Sequence, residues 1–257
     1  MPDKHFRPPS FFDWLAEQHP GHLPRFSTSG QVESVPHGTT VLALKYADGA
    51  LLAGDRLATE GIHVADRRVQ KVHKTDDHSA IAISGAAGVS LEIVRLFQTE
   101  LEHYEKLEGV PLSTDGKANK LAQMIRANLP AAMQGLAVIP ILVTYEQDQD
   151  QGRICKYDVT GGRYEEAEFY ATGSGGQDAR NTLNKRYRPG MSEHDAIAIS
   201  LEALQDAAEQ TLGTGGVDLD RGIFPSVVLV TKEGVREIPD EALREAFLKN
   251  REKRGQP

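Results

Sequence analysis

Residues 39–56 read TTVLALKYADGALLAGDR, two apolar runs on either side of Asp48-Gly49. An Asp-Gly pair between runs of strand-forming residues is the sequence mark of a tight β-hairpin, so a hairpin is expected over 39–56. A second pair follows in RRVQKVHK at 67–74 and SAIAISG at 79–85, split by Thr75-Asp76-Asp77 and expected to place Lys71 in the third strand. Helical spacing of Val89, Ile93, Leu96, Phe97 and Leu101 predicts a helix over 88–107, and a second one is expected over 115–135, closed by Gly135. Strands are expected again at 138–147, 154–162 and 166–175. Helices follow at 176–187 and 192–210, the latter opened by Ser192 and Asp195 in a pattern like a capping box. FPSVVLVTKEGVREIP at 224–239 and a helix from about 240 finish the chain. Strands and helices thus come in blocks, which implies an α+β fold with antiparallel sheets and helices on their outer faces. Two sheets stacked between helix layers would cover every apolar face.

Upstream of this hairpin the texture is different. Residues 1–38 hold six of the 13 prolines, and their one amphipathic patch is SFFDWLAEQ at 10–18, too short to fold alone. The segment reads as an arm attached to a domain that begins at Thr39.

The whole chain has 257 residues, 39% hydrophobic and 26% charged, an ordinary globular balance that suits one large domain. Its 37 acidic against 29 basic residues give a net charge of −8, which argues against wrapping a nucleic-acid backbone. Cys155 is the only cysteine, so no intrachain disulfide forms and a reducing compartment, the cytoplasm, is expected. No stretch has the length of a signal peptide's apolar core or of a membrane span. The nine histidines contain no HExxH pair and one thiol cannot build a zinc cluster, so neither metal nor cofactor is expected. A phosphate-loop reading of GSGG at 173–176 fails, because Asp178 takes the last position of G-x-G-x-x-G/A and no glycine-lysine-serine/threonine follows.

Threonine is common in strands, so Thr39-Thr40 alone says little. Its setting says more: Gly38 in front, Asp55-Arg56 at the end of the second run, Lys71 downstream, and the small-residue turn SGAAG at 84–88 leading into a helix. A hydroxyl is a weak nucleophile and needs a base, and the α-amino group of the same residue can serve once the chain is cut in front of it. Such an amine has a pKa of about 7.7–8.0, suited to taking and returning a proton, and a nearby lysine held by an aspartate would lower it further. Lys71 and Asp55 can fill those roles. Gly38 leaves the carbonyl before Thr39 open to attack, which would make residues 1–38 a removable propeptide and 39–257 the mature domain.

At this point the chain resembles the β subunit of a 20S proteasome, of the actinobacterial type. GTTVLALKYADGALLAGDR, KV at 71–72, AISGAAG at 82–88, LEHYEKLEGVPL at 101–112, AAMQGL at 131–136, ATGSGG at 171–176 and TGGVDLDRGIFP at 214–225 stand in family order. The resemblance implies an N-terminal-nucleophile hydrolase with a four-layer αββα sandwich and a threonine endopeptidase activity exposed by self-cleavage. It puts the nucleophile on Thr39, its partners on Asp55 and Lys71, the oxyanion donor on the Gly85 N–H, and a supporting serine on Ser174. Thr59 and Ala87 match positions that hold the substrate strand, and Ala58, Val69, Ile83 and Ala87 match the pocket for the side chain before the cut. It further implies homo-heptameric β rings stacked on α-subunit rings, fed by a ring-shaped ATPase with unfolded, pupylated proteins. One position departs from the pattern: aligned through DAA at 206–208 and TGG at 214–216, Thr211 stands where related subunits carry an aspartate that helps hold the terminal amine. A neutral acceptor there implies a slower enzyme. A ring-building subunit without activity and a small-molecule amidohydrolase of the same nucleophile class share these features and remain open as alternatives.

Overall fold

The computed structural model describes residues 38–60 and 63–253; all of the arm but Gly38, its 10–18 patch included, lies outside the described residues. The expected hairpin is present as β1 (Thr40–Tyr46) and β2 (Gly49–Gly54), paired antiparallel from Val41↔Gly54 to Tyr46↔Gly49. A short hairpin, β3 (Ala58–Glu60) with β4 (His63–Asp66), follows; then come β5 (Val72–Asp76), β6 (Ser79–Gly85) and α1 (Ala87–Glu108). Next stand α2 (Thr114–Ala127), a single turn α3 (Leu129–Ala132), and strands β7 (Val138–Glu146), β8 (Gln151–Tyr157), β9 (Arg163–Glu166) and β10 (Phe169–Gly173). The chain closes with α4 (Gly176–Arg186), α5 (Glu193–Gln210), β11 (Ser226–Thr231), β12 (Gly234–Glu237) and α6 (Asp240–Lys253).

Two five-stranded antiparallel sheets result, one in the order β10-β1-β2-β11-β12 and the other β5-β6-β7-β8-β9. Their facing sides share a core of Val41, Ala43 and Leu52 from the first sheet and Ala82, Ile141, Val143 and Ile154 from the second. The neighbours Leu42, Leu44 and Leu51 point the other way, into a core with Leu201 and Leu204 of α5 and Leu243 and Phe247 of α6. On the opposite outer face, Ile81 and Leu142 pack with Phe97 of α1 and Leu121 and Ile125 of α2. The order of layers is helix, sheet, sheet, helix, the α+β sandwich expected from the block pattern. It also explains why VLAL at 41–44 is apolar without alternation: a strand covered on both sides has no face to give to water, and all four residues are wholly buried.

Several expectations are corrected in detail. Lys71 lies one residue before β5, not within a strand. The strand expected at 166–175 is present as β10, which pairs with β1 in the first sheet, but a further short strand before it, β9, was not expected and pairs with β8 in the second. The helix expected over 115–135 stops at Ala127 and resumes only as α3, because Pro130 has no N–H to donate to the carbonyl four residues back and is tolerated only in the first turn of a helix. Ser192 caps α5 as its spacing suggests, accepting the Asp195 N–H at 3.2 Å and donating to the Asp195 carboxylate at 2.9 Å.

Phe97 is fully buried between α1 and the second sheet. Phe97→Ala should therefore destabilise the fold by about 3–5 kcal/mol, read as a lower urea midpoint with unchanged slope.

Candidate active site at the start of β1

The expected catalytic residues meet where β1 begins. Asp55, just past the end of β2, is 1% exposed and its carboxylate receives four donors. Oδ1 accepts the Thr40 N–H at 2.7 Å and the Lys71 ammonium at 2.8 Å, and Oδ2 accepts the Leu57 and Gly215 N–H groups at 2.9 and 2.8 Å. Lys71 in turn donates to the Leu57 carbonyl at 2.5 Å and to the Gly38 carbonyl at 2.7 Å. Burial pulls the Lys71 ammonium below its ordinary pKa, and the charge and hydrogen bond of Asp55 oppose that pull. Arg56 is not Asp55's partner; it bonds the Ser226 hydroxyl at 3.0 Å and lies 4.0 Å from Asp240.

Thr39 donates its hydroxyl proton to the Gly38 carbonyl at 2.6 Å, so that one carbonyl oxygen receives both the hydroxyl and the ammonium. The position in front is glycine for a steric reason: a Cβ on residue 38 would sit 2.6 Å from the Thr59 hydroxyl. Gly85 ends β6 with φ +120°, and a side chain there would run into the Ala137 carbonyl. Gly85 lines both cavities that open beside Thr39. The smaller, about 40 Å³, contains all four expected pocket residues, Ala58, Val69, Ile83 and Ala87, together with Gln70, Lys71, His73, Ser90 and Leu91. No carboxylate is among them. Burial pulls the His73 pKa down against a backbone hydrogen bond at Gln70, which favours the uncharged ring on this wall. The other cavity, about 350 Å³, passes Ser84, Ala137, Ile139, Thr172 and Ser174. Thr59 lines neither cavity, and its hydroxyl lies close against Gly38.

Ser174 reaches Thr39 through its backbone, whose N–H donates to the Thr39 carbonyl at 2.8 Å, while its side chain faces Gly213. Thr211 ends α5, and its hydroxyl accepts the Gly213 N–H at 3.3 Å. Two residues missed in the sequence complete the framework. The Thr40 and Thr214 hydroxyls share a 2.6 Å hydrogen bond, and the Gly175 N–H donates to the Thr40 hydroxyl at 2.8 Å. Thr40 was visible only as an ordinary strand threonine, and 174 positions separate it from Thr214. The TGG at 214–216 was the one available signal.

The chain belongs to the proteasome subunit family: a family model described as proteasome subunit matches residues 35–219. Its members assemble into the proteasome, a protease. Among its relatives, a proteasome subunit beta of Rhodococcus erythropolis is 53% identical over 241 residues, covering 89% of this chain and 82% of that protein. Subunits of the same name from Acidimicrobium ferrooxidans (53% over 211 residues, 82% of this chain, 77% of that one) and Acidothermus cellulolyticus (50% over 241, 91% and 83%) are similar. No helix among the described residues is long and apolar enough to cross a membrane, and no group of three or more His, Cys, Asp or Glu among them could hold a metal ion.

Asp55→Asn should be costly out of proportion to its size. An amide keeps one acceptor oxygen and turns two N–H donors toward groups that are themselves donors, leaving the Lys71 charge buried without its counter-ion. A loss of about 3–5 kcal/mol is expected in chemical denaturation.

Proposed function

We propose that this chain is the catalytic β subunit of a 20S proteasome, a threonine endopeptidase that exposes its own nucleophile by cutting between Gly38 and Thr39. The observation that carries the proposal is the shared Gly38 carbonyl, 2.6 Å from the Thr39 hydroxyl and 2.7 Å from the Lys71 ammonium. In the self-cleavage step, Thr39 Oγ adds to the Gly38 carbonyl carbon, closing a five-membered ring and losing its proton to a base. Lys71 stabilises the charge that grows on the carbonyl oxygen. The C–N bond then breaks as the Thr39 nitrogen takes a proton, which leaves an ester between Gly38 and Oγ. Water hydrolyses that ester, releasing residues 1–38 with a new carboxylate and leaving Thr39 with a free amine and a free hydroxyl.

In turnover the freed amine takes the Thr39 hydroxyl proton while Oγ attacks a substrate carbonyl, and the Gly85 N–H would stabilise the oxyanion. The amine returns the proton to the leaving nitrogen, and water releases the acyl group. Lys71 keeps the amine pKa low by like-charge repulsion, and Asp55 fixes Lys71. By the family resemblance Ser174 and Thr211 would support the amine, and with threonine at 211 that support is a neutral acceptor. No metal or cofactor takes part. The setting proposed is cytoplasmic: homo-heptameric β rings between α-subunit rings, a ring-shaped ATPase on the α rings, and unfolded, pupylated proteins as substrates, without nucleic acid or membrane.

Intact-mass measurement of the assembled particle tests self-cleavage directly. The mature chain should have 257 − 38 = 219 residues, and Thr39→Ala should keep the arm. Efficient removal of residues 1–38 from that variant, with no other protease or active subunit present, would overturn the mechanism. A full-length chain in the assembled parent particle would favour an inert ring subunit.

The small cavity beside Thr39 has Ala58, Val69, Ile83, Ala87 and Leu91 in its wall and no carboxylate to recruit a basic side chain, so cleavage after apolar or aromatic residues is expected. A panel of short fluorogenic peptides measures this; a preference for acidic or basic residues would show the pocket to be misassigned.

A further inference from the structure

The wall of the small cavity beside Thr39 holds two titratable side chains among the described residues, Lys71 and His73. They differ in how far their charge is matched. Lys71 gives its ammonium protons to Asp55 and to the Gly38 and Leu57 carbonyls, so nothing of it is left over for a ligand. His73 is half-buried and its ring is held only by a hydrogen bond at the Gln70 backbone, which favours the protonated ring and is therefore donated by it. One ring nitrogen is taken by that bond. The other is not.

The ring reaches the wall through strand register. His73 stands opposite Ile81 across β5 and β6, so it shares the side of the sheet on which Ile81 and Ile83 pack under α1, and Ser90 and Leu91 of that helix complete the wall. No charged residue occurs in β2, β6 or β11. The charged side chains that flank the wall residues in sequence, Glu60, Arg67, Arg68, Glu92 and Arg95, are all exposed and outside the wall. On β5 itself Lys74 pairs with Asp77 at 2.7 Å and Asp76 with Lys117 at 2.6 Å. The remaining ionisable group beside the cavity is the amine that self-cleavage would leave on Thr39.

With the ring neutral, its proton sits on the nitrogen bonded at Gln70, and the second nitrogen presents a lone pair that repels a carboxylate and tolerates an apolar side chain. Protonation turns that nitrogen into a charged donor facing a site with little water. Burial disfavours the charged ring, which places the change in the free site below the ordinary histidine value of about 6.5, and a carboxylate entering the cavity would favour the charged ring again.

We propose that His73 determines which side chain this pocket accepts before the cut, apolar when the ring is uncharged and acidic when it is protonated. The inference rests on the peptidase function proposed for Thr39. It adds a second substrate class to the same site.

The test uses the assembled, processed particle and two fluorogenic peptides that differ only in leucine or glutamate before the reporter. Ionisation of the Thr39 amine alters kcat/KM for both alike and cancels in their ratio. Leucine should be preferred at pH 8, and the glutamate-to-leucine ratio should rise about tenfold by pH 5.5, where a free glutamate side chain, of pKa about 4.3, is still ionised. His73→Gln and His73→Leu both remove the charge and should each leave the ratio level with pH. A level ratio in the active parent particle, or the parent's rise retained in both variants, overturns the role of His73 and leaves the peptidase function standing. Cleavage of neither peptide by a particle with a free Thr39 overturns both.

Discussion

The site rests on one buried ion pair. Asp55 follows β2, the middle strand of the first sheet, and Lys71 leads into β5, the edge strand of the second, so their 2.8 Å contact joins the two sheets at the end where Thr39 stands. An ammonium 5% exposed is tolerable only with a carboxylate and carbonyls around it, and a carboxylate as buried as Asp55 only with its lone pairs filled. Each of these demands recruits backbone: Thr40, Leu57 and Gly215 around the carboxylate, Leu57 and Gly38 around the ammonium. The desolvation penalty thus becomes a positioning device. Once the pair is buried, the start of β1, the loop after β2 and the loop after α5 have little freedom to be anywhere else.

How much of this could be read in the sequence depends on how local each cause was. The β1–β2 hairpin was legible because an Asp-Gly turn carries its own geometry, and the α5 start because Ser192 and Asp195 sit three residues apart. The strand β9 was not, since RYEE at 163–166 is largely exposed, carries no apolar alternation, and nothing near it says that it pairs in a different sheet from β10. The β3–β4 hairpin escaped for a related reason: its four-residue second strand is fully exposed and carries no apolar alternation. The likeness of Gly38-Thr39, Asp55, Lys71 and Gly85 to a known pattern named the site, and the geometry supplied what a pattern omits. It placed Lys71 on the Gly38 carbonyl, put His73 in the cavity wall, and revealed the Thr40–Thr214 bond across 174 positions.

The glycines of the site are close approaches of backbone to backbone. Gly85 lies against the Ala137 carbonyl, and Gly173, at φ +98°, against the carbonyl of Thr39. A methyl group in either place would push apart two segments whose N–H and C=O groups line the cavity beside the hydroxyl. The absence of side chains here lets main chain, which cannot change rotamer, form the walls.

Chain ends are ordinarily the least ordered part of a protein. The first residues of β1 are held differently: the Thr39 carbonyl accepts from Ser174, the Thr40 N–H binds Asp55, and the Asp55 N–H returns to the Thr40 carbonyl at 3.1 Å. None of these bonds uses an atom on the far side of the Gly38–Thr39 linkage. A terminus created at that linkage would keep its anchorage, and the entropy of fixing a mobile end would already have been lost when the sandwich folded, before any substrate arrived.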